Sequence, residues 1–463
     1  MTDLAGRLLG DAWAALEAPA ELLDSVQLAG PDHPLPSRLA VGALAQATAA
    51  AAGLAAAELA AARGAPLPGV RIDSRAAAVA FRSERHLVLD GEPQVDWDPL
   101  SRFLPAADGW VRLHGNYPHH RARLLAALGI PEDTPDLPTR VAEAVAGRPA
   151  AVIEEAVFAG NGVAAAVRAP SEWGAHPQGA AVASLPLLTL RRVGAAPPWP
   201  LPPVPDRPLL PAAGLRVLDL TRVLAGPVCC RTLAFLGADV LRVDSPRLPE
   251  IAGHHLDTGW GKRSTLLDLA DAGDLATFER LLAGADVVVT GYRPGALAGL
   301  GLSPEALIDR RPGLVVGTLS AWSRTGPWAD RRGFDSLVQA ASGIARVEGG
   351  GSPEPGTMPA QALDHGTGYL LAAAILRALA RRTTEGGSWH AQLSLAQTAC
   401  WLLGAPQEPE PRGDPTDPSP WLDEADTPAG RITHALPPIE LTGGPTTWEH
   451  PVVPWGSSTA FWR

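Results

Sequence analysis

Lysine is almost missing from this chain: of 38 basic residues among 463, only Lys262 is a lysine. Cysteine is scarce as well. Three cysteines, two of them adjacent at Cys229 and Cys230, cannot build a disulfide framework. The opening MTDLAGRLLGDAW has no basic start followed by an apolar core, and no run approaches the roughly eighteen apolar residues that span a bilayer. A cytoplasmic protein that does not engage a membrane is expected. The net charge of −11 supplies no basic field for nucleic acid. It leaves room for an anionic small molecule, which responds to a local patch. The lone Lys262, beside Arg263, stands where a compact, flexible ammonium could meet a phosphate.

What is present begins with length: 463 residues, 46% of them hydrophobic, are long enough for two or three domains with their own cores. The most informative stretch is Gly214 to Asp268. Val217 to Leu220 predicts a buried strand, Gly226-Pro227 a helix start, and Val228 to Leu236 the helix, with Gly237 its stop. Val240 to Val243 predicts the next strand. A unit this short predicts parallel strands, with a ligand beyond the strand end near the helix N-terminus. The turn reads TRVLAGP and lacks G-x-G-x-x-G, which argues against NAD or FAD with Asp244 on a ribose.

Before this core, residues 1–34 predict a helix to Leu23 and a loop. Leu39 to Ala62, nearly all Ala and Leu, predicts a buried helix, and Val70 to Asp73 a strand. The pattern recurs at Thr367 to Leu379 and Trp389 to Leu393, an offset of 318 when Arg63 is matched with Arg381. Residues 1–196 therefore read as a partial repeat, with helices at His119 to Leu128, Pro138 to Ala146 and Ala150 to Phe158, and strands near Trp110 and Ala165. The Pro-rich stretch 197–212 reads as a linker, 213–404 as the core, and 405–463 as a Pro-rich connection and closing segment.

The motifs DLTRVLAGP, LGADVLRVD, GKRSTLLDL, ADVVVTGYRPGALAGLGLS, SAWSRTGPWADRRGFDSLVQAASG and ALDHGTGYLLAAAILRALARR follow one another over about 190 residues. In that order they resemble the class III CoA-transferases, the family of formyl-CoA and carnitine CoA-transferases and 2-methylacyl-CoA racemases. The resemblance implies an α/β fold with a Rossmann-like parallel-sheet large domain and a smaller α+β domain. Residues 100–190 are similar to that small domain, placed here before the core instead of after it. It also implies an exchange of CoA between an acyl-CoA and a free carboxylic acid, with CoA as substrate and no permanently bound cofactor. Family members interlock as dimers, so a homodimer or an intrachain pseudo-dimer is implied.

In that family the nucleophile is an aspartate before a Gly-rich helix start, and Asp364 matches it. Read from the residues alone, without that resemblance, Asp364 reads first as the cap of a helix beginning near Thr367. Gly366 and Gly368 would let a ligand approach the backbone. The resemblance puts CoA on Arg222, Val223, Lys262, Arg263, Tyr292 and Arg293, with Arg247 standing in for a basic residue that Ser245 has replaced. The racemase branch carries a histidine where this chain has Phe334, which cannot move a proton. His365 beside Asp364 should point elsewhere. His119-His120 and His254-His255 lack accompanying Cys or acidic residues, and no metal is expected. The offset places Gln46 opposite Asp364, so the first half should have no nucleophile. Gly349-Gly350-Gly351 reads as a flexible loop that could close over Asp364.

Overall fold

The computed structural model describes residues 4–94, 97–204, 207–413 and 417–463. Part of the 197–212 linker, at 205–206, lies outside the described residues. Seven strands form the main sheet: β1 (Thr189–Gly194), β2 (Arg216–Leu220), β3 (Asp239–Asp244), β4 (Lys262–Leu266), β5 (Val287–Thr290), β6 (Val315–Ser320) and β7 (Ser388–Ser394). Their order is β4-β3-β2-β5-β6-β7-β1, with β2 to β7 parallel and β1 antiparallel at the edge. Strand order reverses between β2 and β5. At such a reversal the two following loops part and leave a crevice beyond the strand ends.

Alternation along the strands sorts the side chains to two faces. Leu218, Leu220, Leu241, Val243, Val288 and Val316 face a small cluster built on Phe278 and Leu281. Val217, Val240, Val287, Val289 and Val315 face the large core. Three helices in that core matter for the site: α1 (Val41–Ala62), α2 (Ala225–Phe235) and α3 (Ala362–Glu385). By length and hydropathy α1 could cross a membrane, against the sequence expectation, but 94% of its apolar window is buried in the protein. It is small-residue-rich because it packs along α3 in a crowded interior.

The segment before the linker is woven into the core. Its strand β1 bonds to β7, and the hydrophobic cluster runs through both. Val26–Ala29, which the sequence reading left in a loop, pairs in parallel with Val70–Asp73. Arg63 holds the linker, donating to the carbonyls of Pro202, Pro211 and Ala213. Residues 100–166 keep a separate core of their own under the sheet Phe103–Ala106, Gly109–Leu113 and Ala164–Ala166. The closing segment touches both parts: its strand Gly430–Ala435 pairs with Val88–Leu89 of the N-terminal segment, while His434 of the same strand stacks on Trp260 of the core with ring centroids 3.7 Å apart. Beyond the strand, Trp455 Nε1 donates to Asp244 and Trp462 Nε1 to the Leu281 carbonyl.

Helix α3 begins earlier than the sequence suggested. Ala362 is its first residue, so Asp364 lies in the first turn and is not the cap. The cap acceptor is Asp335, whose Oδ2 takes the N–H groups of Leu363 and Asp364 at 2.9 and 3.1 Å. The glycine at 368 serves packing and no ligand: a Cβ there would meet Ala225 O at 2.5 Å, so its absence lets α3 close on α2.

Candidate active site

The crevice at the strand-order reversal is a cleft of about 310 Å³. Its floor includes Asp364, and its sides come from the turns after β2, β5 and β6. After β2 the chain turns through Arg222 and Val223. Val223 has φ of 69°, a strained value for a β-branched residue, and its N–H donates to Glu250 Oε2 at 3.1 Å. After β5 come Gly291, Tyr292 and Arg293. Phe334 and Arg331-Arg332 close the far side. The remaining wall is supplied by the N-terminal segment: Tyr117, His119, His120 and Arg123.

Asp364 is 5% exposed, and its Oδ2 is buried without a hydrogen-bond partner. Burial, with Asp335 and Glu84 nearby, raises its carboxyl well above the usual range. Asp335, fully buried, is raised too, by its burial. A poorly solvated, unpartnered carboxylate is a better nucleophile than a hydrated one. The sign of the pH effect follows. Chemistry that needs ionised Asp364 rises with pH, and its acid limb lies above the ordinary carboxylate range, as a pH profile of turnover will read. Stability moves the other way: with the folded pKa raised, its contribution is full below about pH 4 and is lost as pH climbs through the folded value. Urea midpoints of Asp364→Asn should therefore match the parent near pH 4 and exceed it increasingly towards pH 8.

Around this acid the cleft walls are cationic. Arg222 pairs with Glu250 at 3.5 Å, and Arg331 with Glu155 at 2.7 Å. Arg123, Arg293 and Arg332 form no ion pair among the described residues; their bonds go to Asn161 and to backbone carbonyls. Burial, then the proximity of Arg293 and Arg123, pushes the Arg332 guanidinium down. Three like charges held together without a counter-charge suit an anion. Glu250 organises the turn: it accepts from the Tyr117 hydroxyl at 2.6 Å and from Arg242 at 2.8 Å. Burial would raise its carboxyl, but Arg242 and Arg222 outweigh that and hold it at about 2.

Of the residues chosen from the sequence, Asp364, Arg222, Val223, Tyr292 and Arg293 come together here. Lys262, Arg263 and Arg247 do not. Lys262 is 2% exposed, with Nζ 2.8 Å from Asp219 Oδ2 and from the Pro227 carbonyl. Arg263 is locked to Asp239 and the Phe461 carbonyl. Arg247 is 69% exposed and paired with Asp268. A compact ammonium was a sound reading of Lys262, but it meets a buried carboxylate and not a phosphate. The glycines 349–351 are absent from the cleft lining, and Glu348 beside them is tied to Ser37 and Arg38. His365 points away from the cleft towards Glu84, at 3.1 Å. Arg123, Arg332, Tyr117 and His120 were missed. Nothing local marks them in an Arg-biased chain, and two of the cleft's walls lie about two hundred positions apart in sequence. Burial beside His119 and His114 pushes His120 down to about 2, so it stays neutral, while His114 stacks on Phe334 at 4.1 Å.

Residues 212–408 match the profile of CoA-transferase family III. Over that segment the chain is similar to the CoA-transferases of family III. An acetyl-coenzyme A transferase of Hypoxylon pulicicidum is 36% identical over 212 residues, which are 44% of this chain and 36% of that protein. An acyl-CoA transferase of Gibberella moniliformis is 31% identical over 305 residues, 62% of this chain and 53% of that one. A solved hypothetical protein from Mycobacterium tuberculosis shares 34% identity, covers 42% of this chain and 57% of its own, and superposes with a TM-score of 0.40. The chain thus spans between 36% and 53% of the length of these two transferases.

Proposed function

We propose that this protein is a cytoplasmic CoA-transferase that exchanges CoA between an acyl-CoA and a free carboxylic acid through Asp364. The observation that carries the reading is a buried carboxylate with an unpartnered Oδ2, at the family's nucleophile position, in a cleft whose other charged walls are arginines. Asp364 attacks the thioester carbonyl carbon; a C–O bond forms, the C–S bond breaks, and CoA leaves as thiolate. The thiolate then attacks the aspartyl carbonyl of the mixed anhydride, releasing the first acid and leaving an aspartyl-CoA thioester. The acceptor carboxylate displaces CoA from that thioester, and the thiolate takes the new acyl group, which regenerates Asp364.

In this reading the CoA phosphates rest on Arg123, Arg293 and Arg332, and its nucleotide lies on the turn of Arg222 and Val223. Lys262, Arg263 and Arg247 have no part in that contact. The N-terminal segment supplies the wall that closes the cleft, so one chain works as an intrachain pseudo-dimer. Incubation with a panel of acyl-CoAs and acceptor acids, read by mass spectrometry, tests the proposal. Exchange of CoA between acids supports it. Deuterium entering the α-carbon without exchange replaces it with α-proton chemistry, and binding without turnover replaces it with a non-catalytic CoA-binding protein.

The N-terminal copy carries no nucleophile in this scheme. Gln46 is buried, and its Nε2 donates to the carbonyls of Ala29 and Ile72 at 2.8 and 2.9 Å, joining two strands. Gln46→Ala should cost about 1–3 kcal/mol in a urea melt, since the buried Ile72 carbonyl and the half-buried Ala29 carbonyl lose their donor. Exchange per folded molecule should stay within a few-fold of the parent.

A further inference from the structure

The N-terminal segment also reaches the back of the first turn of α3. There the short helix Ser83–His86 places Glu84 Oε2 3.1 Å from His365 Nε2. His365 directly follows Asp364, is fully buried, and stacks on Phe81 with ring centroids 5.2 Å apart. The turn that presents Glu84 is itself anchored. Ser83 Oγ donates to Asp257 Oδ2 at 2.9 Å, and Arg231 donates to Asp257 Oδ1 at 3.0 Å. On the other flank Asp335 holds the backbone N–H groups of Leu363 and Asp364. The turn that carries the Asp364 carboxyl, whose Oδ2 is unpartnered, is thus held by the bonds of its neighbours and of its own backbone. That arrangement keeps lone pairs of the carboxyl free for chemistry while holding the backbone that carries it.

We propose that Glu84 is a positioning residue for Asp364: its bond to His365 fixes the first turn of α3 so that the carboxylate stays aimed into the cleft. The proposal rests on Asp364 being the nucleophile. It makes the N-terminal segment a contributor to the reaction step, although that segment carries no reacting group. A displaced nucleophile loses rate steeply, on the order of a hundredfold for 1 Å, while ligand affinity is untouched. Glu84 also crowds Asp364 with a second negative charge, which adds to the raised carboxyl described above.

The test compares Glu84→Ala with Glu84→Gln, which keeps an acceptor for the His365 ring. Hydroxylamine trapping on the parent comes first, and a label on Asp364 establishes the nucleophile independently. With that label in place, Glu84→Ala should lower kcat at least about tenfold per folded molecule with KM for acyl-CoA unchanged. Glu84→Gln should return kcat to within a few-fold of the parent. Should Glu84→Ala not fold, Glu84→Asp, which keeps the charge but withdraws it, should show the same drop in kcat. A merely structural role predicts lower thermal stability with the parent's kcat in every folded variant, and that result overturns the proposal. A parent label on an acid other than Asp364 overturns both this proposal and the functional reading beneath it.

Discussion

Asp364→Ala should abolish CoA exchange while CoA binding stays within about twofold of the parent, because the proposed covalent step and the proposed nucleotide contacts use different residues. The residues proposed to hold the nucleotide are Arg222, Val223, Arg123, Arg293 and Arg332, none of which forms a hydrogen bond with Asp364 Oδ2. The rival role for Asp364 was a helix cap, for which truncation costs about 1 kcal/mol and leaves turnover. That role belongs to Asp335, which already holds the N–H groups of Leu363 and Asp364. Asp364→Ala therefore loses no cap, and at neutral pH it sheds a carboxyl whose ionisation the fold opposes. Its thermal midpoint should equal or exceed the parent's. Hydroxylamine with acyl-CoA present should leave a hydroxamate on the peptide containing Asp364. A label on Asp335 instead would end the assignment.

Strands and helices with a clean period were legible in the sequence. Val217 to Leu220 and Val240 to Val243 carry apolar residues towards both faces because helices cover both faces of their sheet, and each run is interrupted only by one buried, ion-paired charge, Asp219 and Arg242. Val26–Ala29 was not legible: its partner strand lies more than forty residues on, and the closing segment covers the sheet from the far end of the chain. The start of α3 was misplaced for a different reason. Gly366 and Gly368 weigh against helix locally, yet Gly368 is required by the approach of α2, and tertiary packing overrides propensity. Asp364 was legible because a motif surrounds it. The arginines Arg123 and Arg332 were not, since what selects them is the absence of a counter-charge, and that exists only after folding.

Lys262 shows the same limit and yields the largest stability effect expected of a single change. Its ammonium is bonded to Asp219 Oδ2 and the Pro227 carbonyl, with both charged side chains 2% exposed or less. Asp219 in turn holds Thr221 through its hydroxyl and its N–H, so the pair fixes the start of the turn that carries Arg222 and Val223. Removing one partner leaves a buried, uncompensated charge, which costs about 3–5 kcal/mol. Lys262→Ala should lose stability by about that amount in a urea melt. If Lys262 met a CoA phosphate, the variant would bind CoA worse while a truncated pantetheine thioester, lacking the nucleotide, bound as before. Its burial predicts equal, modest losses for both ligands, arising from a loosened turn. Replacing both members, as Lys262→Met with Asp219→Asn, removes the orphaned charge and should recover most of the stability. A double variant no more stable than Lys262→Ala would mean that the pair's worth lies in the Thr221 contacts and not in the buried charges.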